Sequence, residues 1–346
     1  MYMMLNFVKK LYQFSAILIL VCSLPVVADS IQKPAIMSAL SSQVLLTDGE
    51  KLNAKAGYVG VGLYGHIVRS KNGTLWTQAK SPVQILLTSV FFLDDKHGWA
   101  TGHDAVILHT RDGGENWQLQ YEDPIPGGDL PKPLLDIYFQ DKQHGYAIGA
   151  YGIMLKTNNG GQQWQAIETN ALYEKLMDLD MEPEPNFNSM TPFGDKLLIV
   201  GELGTILVYD PQSTSEALRW TIIESPYVGT YFGVKASSLL DLYIYGLRGN
   251  AYRSTDAGAS WNKIETGVVA NIYDCIELAD GNLIFVGASG TVLHLNASGT
   301  QAKKHPYPGF DDFMSGQLIK GNEMLLFGSA GVKQLTVDSS QLLPIN

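Results

Sequence analysis

Two histidines, two aspartates and an arginine fall within the stretch Gly98–Trp117, GWATGHDAVILHTRDGGENW. Imidazole and carboxylate groups at this density suit general acid–base or metal-assisted hydrolysis, with glycines to bend the chain around a substrate. A zinc hydrolase would pair its histidines as H-x-x-x-H or H-E-x-x-H, and none of the seven histidines is so spaced. The other reading is that the stretch is one tile of a repeating scaffold, and copies elsewhere in the chain decide for it.

IGAYGIMLKTNNGGQQW ends at Trp164, YGLRGNAYRSTDAGASW at Trp261 and VGLYGHIVRSKNGTLW at Trp76. VGELGTILVYD, VGASGTVLHLNASGT and FGSAGVKQLTV are weaker copies. Their first glycines are Gly62, Gly102, Gly149, Gly201, Gly246, Gly287 and Gly328, at intervals of 40, 47, 52, 45, 41 and 41 residues. Within the second unit SVFFL, WATG, VILHT and WQLQ read as four short strands separated by DDKHG, a glycine hairpin and RDGGEN. Six units carry G-x-x-G between their second and third strands, and Ala105 replaces the second glycine in one. Seven four-stranded antiparallel units at this period predict an all-β fold, a seven-bladed β-propeller over residues 43–346. Interblade insertions fall near residues 122–133 and 168–192, and the first half of the latter suits a short helix ended by Pro183. Links between blades leave on the face that carries the G-x-x-G hairpins, so both insertions are expected to crowd that face.

The polar residues of the opening stretch now acquire a structural role. Thr110, Asp112, Gly114 and Trp117 fit S/T-x-D-x-G-x-x-W, the Asp box; Ser254, Asp256, Gly258 and Trp261 fit it fully, and Thr157, Asn159, Gly161 and Trp164 fit it with an amide. A short acceptor side chain ties down turn N–H groups, glycine permits the bend, and the tryptophan packs between blades. His97 in DDKHG and His144 in DKQHG hold equivalent places and belong to the repeat. GVGLYG, Gly60–Gly65, matches G-x-G-x-x-G, but HIVRS after it is a strand where a dinucleotide site needs a helix. Asp boxes also decorate sialidases, so a sialidase-like glycosidase or a lectin is the alternative function. That chemistry needs arginines converging on a carboxylate, a Tyr/Glu nucleophile pair and an acid. The chain has only Arg69, Arg111, Arg219, Arg248 and Arg253, three of them in or beside Asp-box turns.

The residues that differ from unit to unit lie inside the hairpins, at the mouth of the central channel. Tyr64, His103, Asp104, Tyr151, Glu202 and Arg248 are the candidate partner-binding residues, a mixed polar and aromatic surface of the kind that holds a peptide or protein segment. The acidic run Glu174, Asp178, Asp180, Glu182 and Glu184 would suit a basic partner or weak calcium as well as plain solvation. No metal site, cofactor or catalytic residue is expected.

Lys9 and Lys10, the apolar run Leu11–Val21 and the small residues Val26 and Ala28 read as a signal peptide over residues 1–28, cleaved before Asp29. Residues 29–42 form a lead-in, and the mature protein is expected in the periplasm or outside the cell. Cleavage removes two lysines and no acid, taking the formal charge from −10 to −12. An acidic chain lacks the basic stripe a nucleic-acid binder needs. Cleavage also leaves Cys275 as the sole thiol, in an apolar strand, so no internal disulfide or cysteine metal site forms. Ring closure would use the segment around Gln43 to Leu46 or the tail Gln341–Asn346.

With repeats of the form GWATG…G-x-IL-x-T-x-DGG-x-x-W over nearly all the mature chain, the sequence resembles the photosystem II assembly factor-like propeller family. The resemblance implies a non-enzymatic scaffold; photosynthetic members bind a newly made membrane subunit through a basic patch. This chain departs there, being acidic and arginine-poor, so no patch residue carries over. By resemblance to bacterial members outside photosynthesis, the expected partner is a membrane or envelope protein, with peripheral membrane association through that partner.

Overall fold

Each repeat begins with an inner strand that bulges one residue after its start, and this irregularity recurs in all seven sheets of the computed structural model. The structure describes residues 33–52, 57–123, 132–297 and 299–343; the signal-peptide segment and residues 124–131 of the first insertion lie outside them. The inner strands are Leu46–Lys51, Leu87–Phe92, Leu134–Phe139, Phe187–Phe193, Tyr231–Ala236, Ile272–Glu277 and Phe313–Lys320. Each pairs antiparallel with a nearly wholly buried second strand, such as Gly98–Gly102 or Leu242–Gly246. Six sheets have four strands in chain order and the seventh has three, Phe313–Lys320, Glu323–Gly328 and Gly331–Thr336. The expected seven-bladed propeller of antiparallel blades is what forms.

Alternation along the strands explains how blades stack. One side of each sheet faces the blade before it and the other the blade after, so second strands are apolar throughout. The buried side chains fall into seven clusters, each at one blade interface. Val59 and Val61 of blade 1 meet Val90 and Val106 of blade 2, and Ile244 of blade 5 meets Val200 and Ile206 of blade 4. Tyr58 and Val68 of blade 1 meet Leu325 and Phe327 of blade 7.

That last cluster closes the ring without an exchanged strand. Trp76 packs edge-on against Phe327 at 5.8 Å, Lys51 Nζ donates to the carbonyls of Leu318 (2.9 Å) and Ile319 (3.0 Å), and Gln317 Nε2 donates to Gly49 O (2.7 Å). Neither expected closing segment adds a fourth strand to blade 7 among the described residues. Leu343 instead pairs with Lys304 on the outer strand of blade 6, and the turn Ser41–Gln43 lies beside the hairpin glycine Gly331.

The G-x-x-G glycines have a steric cause. The N–H after the first glycine donates to the carbonyl just before the blade's own inner strand: Leu63 to Leu45, His103 to Leu86, Ala150 to Pro133, Glu202 to Asn186, Leu247 to Thr230, Ala288 to Asn271, Ser329 to Asp312, all at 2.9–3.1 Å. That contact brings the glycine so close that a Cβ on Gly149 would stand 2.1 Å from Pro133 O. Gly149 itself is extended, so the demand there is space and not unusual φ. Gly149→Ala should therefore cost about 3 kcal/mol, the upper range of overpacking. Gly194→Ala, at an open turn with φ +60 and nothing within 4 Å, should cost only the ~1 kcal/mol of a left-handed alanine. Urea denaturation compares the two, and equal losses would contradict the steric account.

Candidate functional site

The Asp-box residues lie at corners between third and fourth strands. Thr110 Oγ1 donates to Asp112 Oδ1 (2.9 Å) and accepts from Gly114 N–H (3.0 Å), while Asp112 Oδ1 takes the N–H groups of Glu115 and Asn116 at 3.0 Å each. Ser254, Asp256 and Gly258 repeat this at 2.8 Å, and Thr157, Asn159 and Gly161 at 2.9–3.0 Å. Although partial burial pulls the other way, hydrogen bonds led by that from Asn116 hold the Asp112 carboxyl below its usual range. Trp117 is buried edge-on against Phe92, and Trp164 packs the same way on Phe139. Trp261 is half-buried. A fourth corner escaped the sequence pattern because it is one residue shorter. In it Ser70 Oγ accepts from Gly73 N–H (2.8 Å) and Asn72 Oδ1 from Thr74 and Leu75 (3.1 Å each). His97 and His144 each bond the turn carboxylates of Asp94 and Asp141 through Nδ1, in the equivalent turns between the first and second strands of blades 2 and 3.

The arginines are spread around the ring. Arg69 pairs with Glu115 (3.1 Å), Arg253 with Asp241 (2.5 Å), and Arg219 donates to Ser213 O. Arg248 stands apart, exposed in a channel-mouth hairpin.

On the opposite face stand seven equivalent hairpins, one per blade, and the candidate binding residues sit in the first five. Tyr64 (φ 61), Asp104 (55), Tyr151 (54), Leu203 (53), Arg248 (56) and Ser289 (56) all occupy the left-handed region ahead of the hairpin's end. Non-glycine residues adopt that region only when surroundings enforce it. The enforcement is visible: N–H groups of Tyr151, Arg248 and Ser289 donate to Asn186 Oδ1, Asn271 Oδ1 and Asp312 Oδ1, each just before the next blade's inner strand. Tyr64 and Tyr151 are 58% and 57% exposed on this fixed backbone, and Lys132 lies 5.8 Å over the Tyr151 ring. His103 is exposed, and Asp104 and Glu202 are half-buried. The hairpins occupy equivalent places around one rim, so they form one surface.

Beneath this mouth the channel, about 670 Å³, holds groups that the repeat analysis overlooked. The residue closing each inner-strand bulge is Asp48, Ser89, Asp136, Ser189, Gly233, Asp274 or Ser315 in successive blades. The aspartates latch neighbouring blades. Asp48 Oδ2 accepts from Val90 N–H (2.9 Å), Asp136 Oδ2 from Met190 N–H (2.8 Å), and Asp274 Oδ2 from Gly316 N–H (2.8 Å). Residues beside the bulge add Thr47 Oγ1 to Leu87 O (2.7 Å), Thr88 Oγ1 to Leu134 O (2.7 Å) and Asn188 Nδ2 to Tyr231 O (2.8 Å). At Gly233 the Tyr245 ring takes the space, since a Cβ would stand 2.3 Å from it.

Desolvation deep in the ring raises these carboxyls: Asp48 to about 7, Asp136 to about 6, and Asp274 upward. Glu50 is pushed up to about 8, by burial first and then by Asp48, with Lys235 opposing. Cys275 also lines the channel, and burial drives its thiol well above the ordinary range. Among the described residues no group of three or more ligating side chains could hold a metal ion.

The second insertion corrects an expectation. Its helix α1, Asn170–Asp178, forms as read, but it does not cover the channel mouth. Leu172 and Leu176 are buried between blades 3 and 4, and the helix docks on the outer side of blade 4 against a second helix, α2, Glu216–Arg219. The insertion meets the hairpin face through Tyr173 of the helix, beside Gly152, and through its end, where Pro185 O accepts from Gly152 N–H (3.0 Å) and Asn186 Oδ1 from Tyr151 N–H (2.8 Å).

A carboxyl whose folded pKa is raised stabilises the fold fully below its unfolded pKa and less as pH climbs through the folded value. The buried histidines His66, His109, His294 and His305 have lowered pKa values and act oppositely, but only below about 6.5. The thermal midpoint should thus fall between pH 7 and 9, and Glu50→Gln should flatten that fall by about 1–3 °C. Melting curves at several pH values decide; an unchanged slope would remove Glu50 from the account.

The family model described as Photosynthesis system II assembly factor YCF48 matches residues 68–126 and 128–307. The chain is 35% identical over 54 residues to the chloroplastic photosystem II stability/assembly factor HCF136 of Cyanidioschyzon merolae, covering 15% of this chain and 12% of that protein. It is 35% identical over 43 residues to the photosystem II assembly protein Ycf48 of Thermosynechococcus vestitus, covering 12% of each. The matched stretches therefore span about an eighth of these curated relatives. Among solved structures, YCF48 bound to D1 peptide superposes with a TM-score of 0.65 at 15% identity, over 90% of this chain and 96% of that one. YCF48 from Cyanidioschyzon merolae gives 0.66 at 15% identity, over 88% and 99%. The WD40 propeller domain of Doa1 gives 0.64 at 12% identity, over 90% and 98%, so this likeness is one of fold.

Proposed function

Because the chain belongs to the Ycf48 family of photosystem II assembly factors, we propose that it is a non-catalytic binding and assembly scaffold for a membrane or envelope protein. The observation that carries this reading is the contrast between constant and variable hairpin parts. Backbone geometry and supporting hydrogen bonds repeat from blade to blade, while the exposed side chains do not. Rigid presentation of unlike tips suits recognition of one segment, because little side-chain or loop entropy is lost on docking. The mode of use has a parallel in the YCF48 structure that holds a D1 peptide.

The client is a segment of an envelope membrane protein and not a photosystem subunit. Support comes from the formal charge of −10 and from only five arginines, which leave no basic patch for an acidic client. The basic, apolar and small-residue sequence at the N-terminus supports export to the periplasm or beyond. The binding set is Tyr64, His103, Asp104, Tyr151, Glu202 and Arg248.

Crosslinking and affinity capture from the envelope should recover one dominant membrane protein, and Tyr64→Ala/Tyr151→Ala/Arg248→Ala together should abolish its recovery. Retention by the triple variant would refute the site. Incubation with sialosides and other aryl glycosides should give no turnover. Turnover that disappears in Glu202→Gln would replace the scaffold with a glycan-active enzyme.

A further inference from the structure

Blade 4 departs from the repeat twice, and both departures meet on its outer side. The long link before its inner strand contains α1, and where the Asp-box corner should stand its third and fourth strands are joined through α2. The two helices are fastened by polar contacts. Glu216 Oε1 accepts from Ala171 N–H (3.1 Å), and Lys175 Nζ donates to the carbonyls of Ala217 (2.6 Å) and Trp220 (2.8 Å). Between them and the outer strand Trp220–Ile222 runs a groove of about 430 Å³, with Leu179, Leu218, Trp220 and Ile222 as apolar lining and Lys175 and Asp178 at its edge.

Two large apolar side chains of the lining stand open, Leu179 at 58% and Leu218 at 75%, and Met177 on α1 is also 65% exposed. Single exposed apolar residues need no explanation, but open leucines on an apolar groove mark a contact surface. The exposed charges on and just after α1 are acidic. Glu174, Asp178, Asp180, Glu182 and Glu184 are exposed, Asp178 at the groove itself, while the local cations Lys175 and Arg219 are half-buried and donate to backbone carbonyls.

That pattern selects the occupant. A purely apolar partner would desolvate carboxylates with no compensation. An anionic bilayer would be repelled, and a second copy docking through the same patch would set acid against acid. We propose that this groove is a second docking surface, taking an amphipathic protein segment with leucine-like residues on one face and lysine or arginine on the other. It lies on the outer side of blade 4, away from the hairpin residues of the proposed client site, and does not depend on that reading.

Fluorescence anisotropy with the mature protein tests it, using a labelled synthetic amphipathic Leu/Lys peptide and a Leu/Glu peptide of the same apolar pattern at physiological ionic strength. The Leu/Lys peptide should bind saturably at one per protein and the Leu/Glu peptide should not. Leu218→Asp, and separately Asp178→Lys/Asp180→Lys, should each weaken binding about tenfold or more without moving the thermal midpoint, since all three residues are exposed. Tyr64→Ala/Tyr151→Ala/Arg248→Ala should leave it intact, which separates this surface from the client site. Unchanged affinity in both groove variants, or equal binding of the two peptides, would overturn the proposal. So would self-association in sedimentation, or adsorption to lipid vesicles, that Leu218→Asp removes, because either identifies a different occupant.

Discussion

One short contact organises the ring. In every blade the hairpin after the second strand folds back until its N–H reaches the carbonyl just ahead of that blade's inner strand. The link that enters a blade is thereby fixed to the turn at its far edge, and no side chain fits between them. Only glycine satisfies the approach, which is why glycine opens the motif seven times although its φ there is ordinary where given, near 180° at Gly62, Gly149 and Gly246. The second tie crosses between blades, from the left-handed residue to an Asn or Asp of the next link in blades 3, 5 and 6. Together with the bulge latches inside the channel, these ties fix each blade to its neighbour at the inner end, and the apolar clusters do so along its width.

A scaffold defined by backbone contacts leaves its outward side chains free to vary. Tyr64, Asp104, Leu203 and Arg248 share a conformation while sharing no chemistry. Strain in the left-handed region, roughly 1–2 kcal/mol each, is tolerated because the surrounding hydrogen bonds over-determine the turn. The return is direction: each tip points from a known place on one rim. At the corners the same economy runs the other way, since polar groups there bond each other and the local backbone and offer little to a partner.

Much of this was legible in the chain because repeats make errors cancel. Seven hairpin glycines at near-constant spacing, six of them paired, specify blade number, and Thr110–Trp117, Thr157–Trp164 and Ser254–Trp261 specify the corners. The Ser70–Trp76 corner was hidden by one missing residue. The channel carboxylates were hidden for a different reason: Asp48, Asp136 and Asp274 recur at alternate places with serine and glycine, so no single motif contains them. Aligning the seven inner strands on their bulges would have found them. The course of α1 depended on Leu172 and Leu176 finding a cleft between blades 3 and 4, a tertiary fact that helix propensity does not carry. Closure was equally non-local, resting on Phe327, Trp76 and Lys51 from opposite ends of the sequence.

Charge ties the channel to the outer surfaces. A chain carrying 34 acids against 24 bases keeps several of those acids where desolvation favours the protonated form. Protonation of such groups lowers the negative charge of the channel wall, so the field at its mouth depends on pH more than the exposed residues alone would make it. The acids beside α1 lie in solvent on the outer side of blade 4. The two faces therefore present different electrostatics from one composition. Burial, and not residue count, decides which acids a partner meets as charge.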